Sequence, residues 1–370
     1  MTKPKALLLG RIDHAQASWQ ALADLAELVT PEAKNRQEFI EECQSGRLDG
    51  VLAICDRAPS SLAVTGRFDE ELIRALPRST VRVGWPVALT DSWYMQALGT
   101  ITSTFAACTA RSILVSNCPG VVDDATADTA VFLILAALRG FNNGIMAIRT
   151  GTWTGRVPPP PLGHDPQGKV LGILGMGGIG RNLKKKVEVF GMRCIYHNRT
   201  KLSPQLADGA EYVGFDELLA RSDVLSLNLP LNSQTRNIIS TNEFAKMKRG
   251  VVIVNTARGG VLDEDALVEA LDEGRVLSVG LDVYQNEPNI HSGLLSNPHV
   301  CLLPHMGTSS VETKTKMEEW NIGNVRAVLE VGRLNNVVPE QAHLVPFYKY
   351  LNRSNSTDGK QKRDGIFNKD

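Results

Sequence analysis

Three charged or titratable residues each follow an apolar run that is typical of a strand in a parallel sheet. Arg258 follows VVIVNTA, Glu287 follows GLDVYQN and His305 follows VCLLP. Sheets of α/β proteins bind their ligands at the carboxyl ends of the strands. A single histidine after a strand is usually a packed or surface residue, so none of the three is informative alone. Together, in a chain that also has a nucleotide-binding pattern, they predict a hydride-transfer site.

Residues 170–199 supply that pattern, with a strand-like run, a GxGxxG turn, a helical segment and a second apolar run. This order is typical of the unit that binds a dinucleotide. In it, Gly175 permits the tight turn, Gly177 lets the pyrophosphate approach the backbone, and Gly180 lets the helix pack close to the strand. A GxGxxG string alone also occurs in ordinary glycine-rich loops, but the flanking elements favour nucleotide binding.

The second strand of this unit ends in HNRTK, where an NAD-binding unit normally has Asp or Glu for the ribose 2′-hydroxyl. Arg199 could instead pair with a 2′-phosphate and stack on adenine. A solvated basic loop is the other interpretation. We therefore predict that NADP(H) is the preferred cofactor and that NAD(H) is the alternative.

The elements that position these residues alternate along the chain. Apolar runs predict strands that include residues 5–10, 49–55, 111–117, 170–174, 251–255 and 277–283. Helical spacing predicts helices that include residues 18–28, 69–76, 124–141, 241–247, 263–271 and 310–331. Strands that alternate with helices indicate an α/β fold.

Composition excludes several classes of protein. The 370 residues are enough for two domains, and equal numbers of basic and acidic residues (40 each) favour neither nucleic acid nor membrane as a partner. The six cysteines have no metal-type spacing, so we predict no metal site and expect reduced, buried thiols in a cytoplasmic protein. The first apolar run is too short for a signal peptide.

Several blocks of the sequence resemble the D-isomer-specific 2-hydroxyacid dehydrogenase family. They are VSNCPGVVDDATADTAVFLILAALR, GILGMGGIG, LNLPLNSQT, NTARGGVLDEDALVEAL, GLDVYQNEP and LPHMGTSS. The HNR after the second strand is similar to the glyoxylate/hydroxypyruvate reductase branch, which favours NADPH. The resemblance implies an NAD(P)-dependent oxidoreductase that acts on CH–OH donors. The implied reaction is reduction of a small 2-oxo acid, of glyoxylate or hydroxypyruvate type, to the D-2-hydroxy acid.

The resemblance also implies a role for each strand-end residue. Arg258 would grip the substrate's carboxylate and carbonyl through forked, charged hydrogen bonds. His305 would give a proton to the carbonyl oxygen as hydride arrives, and Glu287 would hold the imidazole and favour its protonated form. Asp282 matches a position on the nicotinamide side. The expected cofactor-binding residues are Gly175, Gly177, Gly178, Ile179, Gly180, Asn198, Arg199, Thr200, Leu229, Pro230, Thr235, Thr256, Ala257, Arg258, Asp282, His305 and Gly307.

The domain organisation follows from the same resemblance. It implies two Rossmann-like domains, one a doubly wound parallel sheet for the dinucleotide and one a smaller flavodoxin-like substrate domain. We expect the substrate domain at residues 1–118 plus 309–345, the dinucleotide-binding domain at 119–308, and a disordered tail at 346–370. A homodimer built partly on the helix at 124–141 is also implied.

One stretch departs from the family. Its substrate domain has a loop AGYDNIDV, whose backbone N–H groups bind the substrate carboxylate, and ALGTITSTF stands in its place at residues 97–105. Residues 80–106 are therefore aberrant, and a strand there is in doubt. The alternative function is a catalytically impaired dinucleotide-binding protein of the same fold, since such preorganised donors matter to a transition state. A formate- or phosphite-type dehydrogenase fits the blocks less well.

Residues 97–105 can be encoded so that the same nucleotides, read from the third base, translate to AGYDNIDV. We predict that residues around 80–105 are translated out of frame, through a misplaced splice junction or two compensating frameshifts. A genuine, divergent loop is the alternative. Sequencing the transcript tests this, because an abundant message that encodes these residues in the stated frame would contradict a misplaced splice junction.

Overall fold

The structure, a computed structural model, describes residues 3–57, 60–80, 82–84, 101–153 and 162–345. Contacts group these residues into two compact units. The first unit contains the described residues up to 84, 101–117 and 318–345, and the second contains those of 118–317. The expected domain limits at 118/119 and 308/309 stay a prediction. The predicted tail at 346–370 and the central part of the aberrant stretch, 85–100, lie outside the described residues.

The first unit is built on a five-stranded parallel sheet with strand order β2-β1-β3-β4-β5. This is the flavodoxin-like order, so that prediction is confirmed. Its central strands are apolar runs, as expected where both faces of a sheet are covered. The elements are β1 (Lys5–Gly10), α1 (Gln16–Gln20), β2 (Glu27–Val29), α2 (Arg36–Gln44), β3 (Val51–Arg57), α3 (Leu62–Thr65), α4 (Glu70–Ala75), β4 (Arg82–Gly84), α5 (Ile101–Ala110) and β5 (Leu114–Ser116).

One expectation for the first unit is wrong, and one strand that was in doubt is present. The single helix predicted over 18–28 is instead the short α1, a 3-10 turn at Ala21–Asp24 and the strand β2, which pairs with β1. The doubtful strand within 80–106 is present as β4, between β3 and β5. A gap there would leave the backbone groups of β3 and β5 unpaired, so pairing imposes a strand on a segment without clear periodicity.

The second unit is built on a seven-stranded parallel sheet with strand order β12-β11-β10-β9-β6-β7-β8. The order reverses between β6 and β9, which confirms the doubly wound prediction. Its elements are α6 (Asp123–Arg139), α7 (Phe141–Arg149), β6 (Val170–Leu174), α8 (Gly178–Glu188), β7 (Arg193–His197), α9 (Pro204–Ala207), β8 (Glu211–Tyr212), α10 (Phe215–Arg221), β9 (Val224–Leu227), α11 (Thr241–Lys246), β10 (Val251–Asn255), α12 (Glu264–Asp272), β11 (Val276–Leu281), α13 (Ser292–Ser296) and β12 (Val300–Leu302).

The helix predicted at 124–141 is interrupted. α6 ends at Arg139, and α7 begins at Phe141. Gly140 between them has a φ of 63°, in the left-handed region typical of a helix C-terminus. Within the described residues, no single helix is long and apolar enough to cross a membrane. The helices α6 and α7, which are bent by 79° at the break between them, reach the length and apolar composition of a membrane span only when they are taken together.

All six cysteine side chains are buried and none forms a disulfide. Burial raises the pKa of the Cys43, Cys108 and Cys194 thiols to about 12. Their thiols therefore stay protonated and unreactive near neutral pH, as expected for cysteines that fill a core.

The last helix, α14 (Val311–Val331), contributes a buried carboxylate to the first unit. Glu318 is fully buried, accepts hydrogen bonds from the backbone N–H groups of residues 13–15 at 2.7–3.1 Å, and pairs with Arg57 at 2.6 Å. Glu318 thus fastens the loop after β1 and the end of β3 to the helix.

We predict that Glu318→Ala lowers the free energy of unfolding by about 3–5 kcal/mol, because Arg57 would stay buried without its counter-charge. Urea denaturation of the purified chain measures this. The matched control is Glu330→Ala on the same helix, whose exposed pair with Arg326 should contribute less than about 1 kcal/mol. Equal losses in the two variants would contradict the prediction.

Candidate active site

The glycine turn joins β6 to α8 at the point where the strand order reverses. Gly175 has a φ of 94°, which favours glycine, and its N–H donates to His197 O at 3.0 Å. A Cβ at Gly180 would lie 2.9 Å from Gly175 O, so a larger residue would push α8 away from β6. A Cβ at Gly177 would meet no described atom within 4 Å, so this side of the turn has room for a ligand.

The end of β7 is tied to this turn. Asn198 Oδ1 accepts a hydrogen bond from the N–H of Met176 at 2.6 Å, and the Tyr212 hydroxyl donates to Asn198 O at 3.2 Å. Arg199 and Thr200 are exposed. The Asn198 side chain therefore holds the glycine turn. The side chains of Arg199 and Thr200 remain available to contact a ribose or its phosphate.

Nine residues predicted from the sequence line one cavity of about 200 Å³. They are Ile179, Leu229, Pro230, Thr256, Ala257, Arg258, Asp282, His305 and Gly307. The Thr235 hydroxyl donates a hydrogen bond to Pro230 O at 2.6 Å and so holds Pro230, one of the lining residues, in place. Four lining residues were missed, namely Val122, Thr126, Asn228 and Thr308. All four lie inside the blocks that resemble the family. Asn228 and Thr308 adjoin residues that were predicted for the site, whereas no cofactor-binding residue was predicted in the block at 115–139, which contains Val122 and Thr126.

Two polar atoms in this lining indicate what the cavity can hold. Asn228 Oδ1 and Thr256 Oγ1 are buried and have no hydrogen-bond partner among the described residues. Buried polar atoms nearly always have a partner in native proteins. Together with the glycine turn, an unsatisfied acceptor and hydroxyl fit a bound nicotinamide dinucleotide, which carries amide and hydroxyl groups.

Arg258 lies after β10 in a loop that is fastened on both sides. Asn255 Oδ1 accepts from the N–H of Ala257 at 3.0 Å, and Asn255 Nδ2 donates to Arg258 O at 2.9 Å. A Cβ at Gly259 would lie 1.8 Å from the carbonyl carbon of Tyr284, so only glycine lets this loop pack against the loop after β11. The Arg258 side chain is buried in this arrangement.

The buried Glu287 and the partly buried His305 form an acid–base pair. His305 Nδ1 and Glu287 Oε2 lie 2.8 Å apart. Glu287 is only 4% exposed, and its Oε1 accepts the N–H of Tyr284 at 2.8 Å. The structure thus brings two of the three predicted catalytic residues into contact and places His305 and Arg258 in the lining of one cavity.

Asp282 anchors the loop that carries His305. Its two carboxylate oxygens accept the N–H groups of Met306 at 2.7 Å and Gly307 at 2.8 Å. Burial raises the pKa of Asp282 above the ordinary range, and the two N–H bonds and His305 oppose this rise. His305 has a φ of 53°, a conformation that costs a residue other than glycine about 1–3 kcal/mol and persists where its surroundings fix it.

Several known proteins are similar to this chain over most of its length. Residues 131–307 match the NAD binding domain of D-isomer specific 2-hydroxyacid dehydrogenases. The chain is 48% identical to 4-methyl-2-oxopentanoate reductase A of Aspergillus oryzae, over 92% of this chain and 99% of that protein. It is 44% identical to glyoxylate reductase 1 of Saccharomyces cerevisiae, over 91% and 95%. A crystal structure of a glyoxylate reductase from Paecilomyes thermophila matches with a TM-score of 0.83 and 51% identity, over 92% and 100%. The chain therefore belongs to the D-isomer-specific 2-hydroxyacid dehydrogenase family, in its glyoxylate reductase branch, and is an oxidoreductase that acts on CH–OH donors.

Proposed function

We propose that this protein reduces a small 2-oxo acid, of glyoxylate or hydroxypyruvate type, to the D-2-hydroxy acid and prefers NADPH to NADH. The observation that carries the proposal is the 2.8 Å contact between Glu287 and His305, whose imidazole lines the same cavity as the buried Arg258. Reduction of a carbonyl next to a carboxylate needs a proton donor and an anion-binding group. Both follow strands of the seven-stranded sheet, His305 after β12 and Arg258 after β10, with β11 between them.

Each of the three residues has a separate role in this reaction. The Arg258 guanidinium donates forked hydrogen bonds to the substrate's carboxylate and carbonyl oxygens. Because Nδ1 of His305 contacts Glu287, Nε2 is the ring nitrogen that gives a proton to the carbonyl oxygen. Glu287 orients the ring and stabilises the imidazolium. The bound nicotinamide supplies the hydride that the carbonyl carbon receives.

The preference for NADPH is supported by the end of β7. This segment has no carboxylate to hold a ribose 2′-hydroxyl, and the Asn198 side chain is engaged by Met176. Arg199 and Thr200 are exposed and can bind a 2′-phosphate, since a guanidinium pairs with phosphate oxygens through parallel hydrogen bonds.

Three further assignments belong to the proposal. The first unit binds the substrate and the second binds the dinucleotide. A homodimer is supported by apolar side chains on α7, because Ile145, Met146 and Ile148 are 45%, 48% and 67% exposed and such patches mark interfaces. A cytoplasmic location is supported by six buried cysteines without a disulfide.

A second candidate function is dinucleotide binding with impaired catalysis. It is favoured by the sequence at 97–105, where AGYDNIDV is replaced. Residues 97–100 lie outside the described residues, and α5 begins at Ile101. The presence of Arg258, Glu287 and His305 together favours the enzyme, because a protein that only binds a dinucleotide does not need all three.

We predict NADPH oxidation by this chain with glyoxylate, and its loss when the proton donor is replaced. His305→Asn should lower kcat by about 10²–10⁴-fold, the usual contribution of a general acid or base. NADPH binding, followed by fluorescence, should fall far less than kcat in that variant, because the other expected cofactor-binding residues remain. The matched control, His299→Asn, changes an exposed histidine before β12 and should keep kcat.

Three outcomes would count against parts of this proposal. An active His305→Asn variant would contradict the role of His305. NADPH binding without turnover in the wild-type chain would favour the impaired protein. No NADPH binding at all would contradict the cofactor assignment.

We also predict that Arg199→Ala weakens NADPH binding by about 10–100-fold, the loss expected for a hydrogen bond to a charged group. The affinity for NADH should fall much less, because NADH has no 2′-phosphate and would lose only the stacking of Arg199 on adenine. Arg193→Ala, at the exposed start of the same strand, is the control and should change neither affinity. Equal losses for both cofactors in Arg199→Ala would contradict the prediction.

A further inference from the structure

Helix α6 presents a carboxylate to the glycine turn. A Cβ built on Gly178 would lie 1.8 Å from Asp123 Oδ2 and 3.0 Å from Asp123 Oδ1. The Asp123 carboxylate therefore fills the space that a side chain at residue 178 would take. Asp123 is the first residue of α6, and Gly178 is the first residue of α8.

This position is unfavourable for a negative charge once a dinucleotide is bound. The pyrophosphate of a dinucleotide lies at the N-terminus of the helix that follows the glycine turn, where free N–H groups and the helix dipole attract anions. A carboxylate beside Gly178 competes with the pyrophosphate for that positive potential and repels it. A protonated carboxyl group has no charge and can donate a hydrogen bond to a phosphate oxygen.

We propose that Asp123 is a further residue of the cofactor site, which faces the pyrophosphate and makes the dinucleotide bind more tightly when Asp123 is protonated than when it is ionised. The proposal rests on the dinucleotide cofactor of the proposed function. It does not depend on the identity of the substrate.

The charged groups around Asp123 come from two helices. Burial raises the pKa of Asp123, Arg181 on α8 opposes the rise, and the neighbouring Asp124 adds to it, so that the net direction is upward. Lys186 on α8 does not offset this, since it pairs with Asp124 at 3.4 Å and with Asp128 at 2.9 Å. A raised pKa brings the ionisation of Asp123 closer to neutral pH.

The sign of the pH dependence follows from linkage. The bound pyrophosphate raises the pKa of Asp123 further, so the complex holds this proton to a higher pH than the free protein does. Affinity is therefore full below the pKa of the free protein and is lost as the pH rises through the pKa of the complex.

The experiment measures the dissociation constant of NADPH by fluorescence, in the wild-type chain and in Asp123→Asn, between about pH 5 and about pH 8. The ratio of variant to wild type at each pH cancels the titration of the 2′-phosphate, whose pKa is about 6. We expect a ratio that is lower at alkaline pH than at acid pH, by about tenfold for a one-unit difference in the pKa of Asp123 between free and bound protein.

Asp124→Asn is the matched control. It removes one negative charge from the same turn of α6, but the Asp124 side chain is 79% exposed and paired with Lys186. Its ratio should therefore change with pH far less than that of Asp123→Asn, and only through the effect of Asp124 on the pKa of Asp123. A second neutral variant, Asp123→Ser, should show the same decrease in the ratio with rising pH as Asp123→Asn. Agreement between the two variants shows that the decrease does not come from a folding defect in one of them. A flat ratio in both Asp123 variants, or equal slopes for the Asp123 and Asp124 variants, would overturn the inference and leave the cofactor site intact. No NADPH binding by the wild-type chain would overturn the cofactor site and the inference with it.

Discussion

The backbone of Gly259 packs directly on the Tyr284 peptide group, and the candidate site depends on this contact. A Cβ at Gly259 would overlap the Tyr284 carbonyl, so the loop after β10 and the loop after β11 can meet only through glycine. Glu264 also holds the loop after β11, because its buried carboxyl group accepts a hydrogen bond from the N–H of Gln285 at 2.6 Å. Arg258 and Glu287 therefore sit on two loops that cannot shift independently.

Both units contain buried carboxylates that accept hydrogen bonds from backbone N–H groups of a loop at the end of a strand. Each of these carboxylates is at most 4% exposed. Such charged hydrogen bonds are strong in a protein interior, and an unpaired buried charge would be costly. The loops of the site are thereby fixed before any ligand arrives. The carboxylates are those of Asp282, Glu264, Glu287 and Glu318.

The sequence predicted those elements whose structure depends on residues that are close together in the chain. The run at Val251–Asn255 and the GxGxxG turn could be predicted because strand periodicity and glycine spacing lie within a few residues. The helix expected over 18–28 was wrong because pairing with β1 imposes the strand Glu27–Val29. Val122 and Thr126 were missed because tertiary packing alone brings the start of α6 to the cavity.

The central claim is that this edge of the sheet reduces a 2-oxo acid by hydride transfer. The most direct test labels the transferred hydrogen of the cofactor with deuterium and locates it in the product. NADPH that carries deuterium at both C4 positions of the nicotinamide is incubated with hydroxypyruvate and the wild-type chain, and the product is analysed by NMR and by its chirality. The account predicts D-glycerate with deuterium on C2 and a solvent-derived proton on the new hydroxyl. Glycerate without deuterium at C2, or glycerate of L configuration, would contradict it.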